Sequence, residues 1–409
     1  MSNELQLEVV KFNKGAYITI EGKSSNGLFY IIRTGNVTLS KDVSDNQAEA
    51  LNPGDFFGVV SAMSGHNYIE TTIALTDVSL IVVTKNQFPL LIQKNNPIAM
   101  KIILSFSRKL RELDKSITEL SLKSVSIPFE DTVNLYSLGE FYLNAKQYNQ
   151  AFYAFYRFIQ YCPDNDLVAN AKQYLQQIKP QAKAVFLEPK PEEFKRVYPD
   201  NTIICCEHEP GNELYILQKG KVKITKMIDN KEVLLAVLKE GDIFGEMSLL
   251  ENKPRSASAI AYEETMLMAV NKENFKNMIS TQPQLVTKLI SLLADRTWVV
   301  YRQLSNLKLS SKIGRFYDML LIQLEKNKLD INPKNPYTFE FGTKELINMV
   351  GLTNDEGSLI IQEIFQNRKF QLKDNKIYVA EIDEIRKQVE YYKKMEMLKE
   401  KRKSAHNNF

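Results

Sequence analysis

The sequence of 409 residues holds only three cysteines, three histidines and one tryptophan. Cys162, Cys205 and Cys206 are odd in number and two of them are adjacent, which excludes a disulfide framework. His66, His208 and His406 share no spacing with the cysteines that suits zinc. No apolar run reaches the roughly 18 residues of a membrane-spanning helix. The opening MSNELQLEVVKFNKG has an acid at position 4 and no apolar stretch of signal-peptide type. These absences predict a reduced, cytoplasmic protein without metal, cofactor or membrane partner. An excess of one charge is missing too: 53 basic against 49 acidic side chains leave +4. That is too little to drive non-specific nucleic-acid binding by the whole chain. There is no nucleophile–base pairing, metal set or P-loop, so no enzyme is expected. What is present is ordinary globular composition, 44% hydrophobic and 25% charged. The length suits two to four domains.

A duplication organises the chain. LNPGDFFGVVSAMSGHNYIETTIA (51–74) and LKEGDIFGEMSLLENKPRSASAIA (238–261) share Gly54, Asp55, Phe57, Gly58 with Gly241, Asp242, Phe244, Gly245. Upstream, GLFYIIRTGNVTLSK (27–41) parallels NELYILQKGKVKITK (212–226). Both are short β-rich runs cut by Gly and Asn and followed by helical patterns. Two related β-domains are expected, at 1–125 and 184–309.

Between them, 126–183 is helical in period: Leu135, Leu138, Tyr142, then Ala151, Phe155, Phe158. The spacing of Leu138-Gly139, Tyr142, Ala151, Phe155 and Pro163 resembles one tetratricopeptide repeat, with 166–178 as a covering helix. One repeat cannot bury a solenoid core alone, so it must lie on a neighbouring domain or on a protein partner. Spacer and partner-binding readings both stand. After the second β-domain, 284–307 is a long amphipathic helix. Leu285, Leu289, Leu292, Val299 and Leu307 fall near a coiled-coil seam. It either joins a homodimer or packs within its own chain on the first β-domain or the hairpin. Residues 311–326 form another helix. Residues 343–380 read as helix, Gly351 turn, second helix from Thr353 or Asn354, and a hairpin around Lys373-Asp374-Asn375. That is a winged helix-turn-helix pattern over 310–382. The tail, 383–409, reads as a charged helix, either a solvated face or a flexible end.

The chemistry concentrates in Gly245-Glu246-Met247-Ser248 and Pro254-Arg255-Ser256-Ala257. Gly245 permits close backbone approach. A helical turn after Glu246 would present N–H groups to an anion. Arg255 offers a bidentate cation to a phosphodiester. Glu246 is an acceptor suited to a ribose hydroxyl.

FGEMSLLENKPRSASA resembles the phosphate-binding cassette of cyclic nucleotide-binding domains, and both repeats resemble that β-roll. From position 184 the chain resembles the bacterial cyclic-AMP receptor protein family: β-roll, long dimerisation helix, winged helix-turn-helix. The resemblance implies an α+β fold with two jelly-roll-like β-rolls (double-stranded β-helices), the helical hairpin between them and a winged C-terminus. It implies that Glu246 binds the ribose 2′-hydroxyl and that Arg255, aided by Ser256, binds the cyclic phosphate. It also matches Arg296 to the family's basic residue in the long helix. Where that helix reads the adenine in cyclic-AMP-binding members, this chain has Val300 and Tyr301. The base is therefore open among cyclic AMP, the first expectation, cyclic GMP and a cyclic dinucleotide.

In the first repeat Val59 and Tyr68 stand where Glu246 and Arg255 stand in the second. Ribose acceptor and phosphate cation are both gone, and a phosphate buried without a partner charge is strongly disfavoured. The first roll is expected to be structural, or to hold another ligand. The second helix of the C-terminal motif, NDEGSLIIQEIFQN, begins with Asn354, Asp355 and Glu356 and has Leu359 where family members carry a basic residue. Acids there repel phosphates. Two outputs are therefore open: a cyclic-nucleotide-responsive transcription regulator, or an adaptor working through protein contacts without sequence-specific DNA binding. A kinase regulatory subunit is a third, although no inhibitor-like Arg-Arg-X-Ser segment precedes the first roll.

Overall fold

The duplication is visible strand by strand in the computed structural model, which describes residues 6–40, 49–121, 131–183, 185–190, 193–228, 231–251, 253–330 and 334–406. The first repeat builds β1 (Glu8–Phe12), β2 (Tyr17–Thr19), β3 (Leu28–Thr34), β4 (Val37–Ser40), β5 (Glu49–Leu51) and β6 (Phe56–Phe57). A short helix α1 (Val59–Ser64), β7 (Thr71–Ala74) and β8 (Val78–Thr84) complete it. Two four-stranded sheets result, β1-β8-β3-β6 and β2-β7-β4-β5. Alternating residues such as Ile32, Val37, Leu39, Phe57, Val78 and Leu80 meet between them. Helices α2 (Phe88–Lys94) and α3 (Asn96–Ser121) follow.

The middle segment is three helices, α4 (Asn134–Asn144), α5 (Tyr148–Tyr161) and α6 (Val168–Ile178). They share a core of Leu135, Leu138, Tyr142, Ala151, Phe155 and Phe158. The periodicity read from sequence is thus the buried face. Ile203, Cys206 and Ile260 of the second roll belong to the same core, so the hairpin rests on a neighbouring domain of its own chain.

The second repeat gives β9 (Lys195–Tyr198), β10 (Ile203–Cys205), β11 (Glu213–Lys219), β12 (Val222–Ile228), β13 (Lys231–Leu238) and β14 (Ile243–Phe244). Then come α7 (Glu246–Glu251), β15 (Ser258–Ala261), β16 (Thr265–Asn271) and α8 (Lys272–Thr281). Its sheets, β14-β11-β16-β9 and β10-β15-β12-β13, repeat the first roll's order. Tyr30 opposite Phe57 recurs as Tyr215 opposite Phe244, and each pair stacks at 5.1 Å.

Helix α9 (Pro283–Lys308) leads to α10 (Lys312–Lys326), β17 (Tyr337–Thr338), α11 (Thr343–Met349) and α12 (Asn354–Gln366). Strands β18 (Phe370–Lys373) and β19 (Lys376–Val379) form the expected hairpin, with Asp374 and Asn375 at positive φ in its turn. α13 (Ile382–His406) closes the chain. The side chains of Ser311 and Thr353 cap α10 and α12 by accepting from Gly314 N and Glu356 N. Gly357 lies inside α12 because α11 crosses there: a Cβ would sit 2.5 Å from Ile347 Cγ1. Gly357→Ala is expected to destabilise the chain by about 1–3 kcal/mol through overpacking, read as a lowered thermal midpoint.

The chain divides into two compact units. One takes the chain to Gln87, then Glu112–Lys123 and Ala294–Phe409; the other takes Phe88–Arg111 and Ser124–Leu293. Two expectations are corrected. The tail is not merely solvated, because Ile382, Ile385 and Val389 of α13 are buried in one core with Phe316, Leu320 and Phe370. In α9 the seam of Leu285, Leu289, Leu292, Val299 and Leu307 is displaced. Its buried residues are Val286, Leu289, Ile290, Leu293, Ala294, Thr297, Trp298, Val300, Tyr301, Leu304 and Asn306, and they are buried within a single chain. In the first unit Trp298 stacks on His66 of the first roll at 3.9 Å, and His66 Nε2 lies 2.9 Å from Asp295 Oδ1. For that half of α9 the intramolecular alternative holds.

Candidate functional site

The cassette forms where β14 runs into α7. Gly245, at φ 77°, turns the chain between them. A Cβ on it would lie 2.4 Å from Arg255 Nη1, so glycine is required both by conformation and by the arginine packed on it. Arg255 is 4% exposed. Its Nη1 donates to Gly245 O at 2.8 Å and to Ser248 Oγ at 2.7 Å, and its Nη2 donates to Glu213 O at 2.8 Å. The guanidinium also lies over the Tyr215 ring, 5.5 Å from its centroid. Its Nε, equally buried, has no hydrogen-bond partner.

Glu246 and Ser248 are buried beside it at 1% and 2% exposure, and Met247 at 5%. Ser256 is half-buried. A cavity of about 310 Å³ adjoins the cassette, lined among others by Gly211, Asn212, Leu249, Lys253 and Lys272. That volume falls in the range of small-ligand sites. Gly211 connects the cavity wall to the cassette: a Cβ there would come within 2.7 Å of Arg255 Nε.

Gly245, Glu246, Met247, Ser248, Arg255 and Ser256 are thus brought together. Arg296, Val300 and Tyr301 belong to the other compact unit. There Arg296 is exposed and Val300 is buried, while Tyr301 Oη donates to Glu21 Oε1 of the first roll at 3.3 Å.

Sequence reasoning missed a second layer. The hairpin's Tyr153 donates to Glu209 Oε1 at 3.4 Å, and Arg157 Nε lies 3.4 Å from Glu209 Oε2. Arg157 Nη2 also donates to Tyr153 Oη at 2.9 Å. The main-chain carbonyl of Glu209 in turn accepts the backbone N–H of Arg255 at 2.8 Å. Burial pushes the Glu209 carboxyl up to about 7, against the opposing pull of Arg157 and Arg255. The only signal in the sequence was an acid two residues before Gly211, with no partner to point to.

In the first roll Tyr68 takes over the arginine's work. Its Oη donates to Leu28 O at 3.2 Å. Leu28 opens β3 as Glu213 opens β11, so the same carbonyl is served in both rolls, by a phenol in one and a guanidinium in the other. Gly58 repeats the φ of 77°, with the Tyr68 ring 3.1 Å from where its Cβ would be. Val59, 3% exposed, replaces the acid. Here the cassette is closed on itself and uncharged at both positions.

The profile of the cyclic nucleotide-binding domain family matches residues 9–95 and 195–282. The CRP-like cAMP-activated global transcriptional regulator of Mycobacterium tuberculosis is 23% identical over 189 residues, covering 46% of this chain and 84% of that protein. The cyclic AMP receptor protein of Thermus thermophilus is 29% identical over 188 residues, with the same coverage. Among solved structures, the regulatory domain of Toxoplasma gondii PKA with cAMP covers 69% of this chain and 85% of that one, at 16% identity and a TM-score of 0.21. These relatives are named as regulators. Among the described residues no helix is long and apolar enough to cross a membrane. Residues 9–95 and 195–282 are two domains of the cyclic nucleotide-binding type.

Proposed function

We propose that the chain is a sensor that binds one cyclic nucleotide, cyclic AMP first, in its second β-roll. A single observation carries this reading: a fully buried arginine, already fixed by three hydrogen bonds, keeps its Nε unpartnered in a cassette that Gly211 separates from a neighbouring cavity of small-ligand size. A buried cation held this way is preorganised for an anion, since its desolvation and side-chain ordering are met before ligand arrives. Arg255 and Ser256 take the cyclic phosphate and Glu246 the ribose 2′-hydroxyl. The α1 cassette of the first roll takes no ligand of this class. Titration calorimetry of the intact chain is expected to give a stoichiometry of one. A value of two would sink the assignment of the first roll; no heat with cyclic AMP, cyclic GMP or either cyclic dinucleotide would sink the sensor.

The output is the C-terminal domain, which we read as a winged helix-turn-helix with α12 as its second helix. α9 carries the signal to it: Arg302 binds Asp318 and Glu325 of α10 at 3.3 and 3.1 Å, and Asn306 donates to Asp318 Oδ2 at 3.0 Å. Transcription regulation is the role in the relatives' names. A specific observation favours the adaptor instead. The solvent face of α12 presents Asp355, Gln362 and Glu363, with Glu356 paired to Lys312 at 2.8 Å, around Leu359, which is 69% exposed. That face repels a phosphate backbone and offers an apolar anchor to a protein. Selection from a random-sequence DNA pool with liganded protein separates the two: an enriched motif supports the regulator, and its absence supports the adaptor.

A further inference from the structure

Strand β13 is an outer strand of the sheet β10-β15-β12-β13. Val233, Leu234, Leu235 and Val237 along it are 37, 54, 52 and 46% exposed. Natural edge strands are usually guarded by charge, proline or shortness. Here the guard is confined to the ends, where Lys231-Glu232 and Lys239-Glu240 flank the apolar run.

We propose that β13 pairs antiparallel with β13 of a second copy of this chain, about a two-fold axis between Leu235 and Ala236. The charges are complementary in that register. Glu232 comes opposite Lys239 at one end, and Lys239 opposite Glu232 at the other. Val233 meets Leu238, and Leu234 meets Val237. The backbone supplies the second argument. In a regular strand, residues that turn their N–H and C=O to the open edge alternate, so a two-fold between adjacent residues would set edge-facing groups against inward-facing ones. β13 is not regular: Ile224 pairs with Ala236 but Thr225 with Leu234, leaving Leu235 as a bulge. The bulge resets the alternation by one residue at the position of the axis. Edge-facing groups on either side then meet each other. The result is an eight-stranded sheet shared by two chains, with no demand on the nucleotide site.

Sedimentation of the full chain tests this. The wild type is expected to dimerise. Lys239→Glu sets Glu232 against an acid at both ends, and Glu232→Lys sets Lys239 against a base. Each variant alone is expected to dimerise at least about tenfold more weakly. An equimolar mixture of the two restores an opposite charge at both ends and is expected to dimerise as the wild type does. Lys239 is exposed, so its variant folds normally; Glu232 accepts a weak bond from Tyr142 at 3.5 Å, and the double variant E232K/K239E provides a second rescue. A wild type that stays monomeric at its solubility limit, a dimer indifferent to Lys239→Glu, or folded single variants that fail to rescue each other would overturn the proposal.

Discussion

Arg255→Ala is expected to lose cyclic-nucleotide binding and to melt well below the wild type even without ligand. The two effects have different causes. Without ligand, the substitution removes the donors to Gly245 O, Glu213 O and Ser248 Oγ, in a largely buried site. It also removes one of the two cations that offset Glu209. Breaking such a buried charged network destabilises by about 3–5 kcal/mol. With ligand, truncating one partner of a buried hydrogen-bonded charge pair costs about 2–5 kcal/mol, roughly 30-fold to several thousand-fold in affinity. Thermal-shift measurements with and without nucleotide separate the two. The wild type should gain in midpoint with ligand and the variant should not. Arg255→Lys is expected to lie between, since an ammonium keeps the charge but cannot serve two carbonyls and a phosphate at fixed angles. An Arg255→Ala protein that is stabilised by ligand as strongly as the wild type would remove the phosphate role.

Much of this site was legible in sequence because it is local. Gly245, Glu246, Ser248 and Arg255 sit within one turn–helix–strand unit, and the backbone constraint at Gly245 leaves a glycine at a fixed place. The duplicated strands were legible for the same reason, since Gly-Asp-x-Phe-Gly marks the same turn twice. What could not be read is what depends on distant partners. That Tyr68 serves the carbonyl which Arg255 serves required the β3 register. α9 has more apolar residues than one seam needs, so periodicity could not choose between the stripe through Leu285 and Leu292 and the buried one through Val286, Ile290 and Leu293. The tail misled through composition: Lys and Glu dominate it, yet Ile382, Ile385 and Val389 at helical spacing suffice to bury its first turns. Gly357 inside α12 likewise depends on a distant partner, since its missing side chain makes room for Ile347 of α11.

Arg157→Ala is expected to destabilise the chain by an amount that grows above neutral pH, towards about 3–5 kcal/mol where the wild-type Glu209 is fully ionised, and by much less in acid. Arg157 and Glu209 are 11% and 6% exposed in their side chains, so the ion pair is shielded from solvent and salt. Burial raises the folded carboxyl from 4.5 to about 7. Between those values the folded chain holds a proton that the unfolded chain has released. Glu209 therefore supports folding fully below 4.5, progressively less as pH rises to about 7, and no less beyond. Removing Arg157 withdraws the larger of the charges that hold this rise in check. The folded carboxyl then titrates higher still, and the loss continues above 7. Urea denaturation across pH should show the two proteins nearest each other in acid and diverging as the solution turns alkaline. Glu209→Gln in the Arg157→Ala background is expected to flatten the divergence, because the amide has no charge to bury. Parallel profiles for wild type and Arg157→Ala would show that the pair is not coupled in this way. Because the main chain of Glu209 holds that of Arg255, the same ion pair fixes the hairpin to the loop that carries Arg255. Arg157→Ala should therefore also weaken nucleotide binding, by less than Arg255→Ala does.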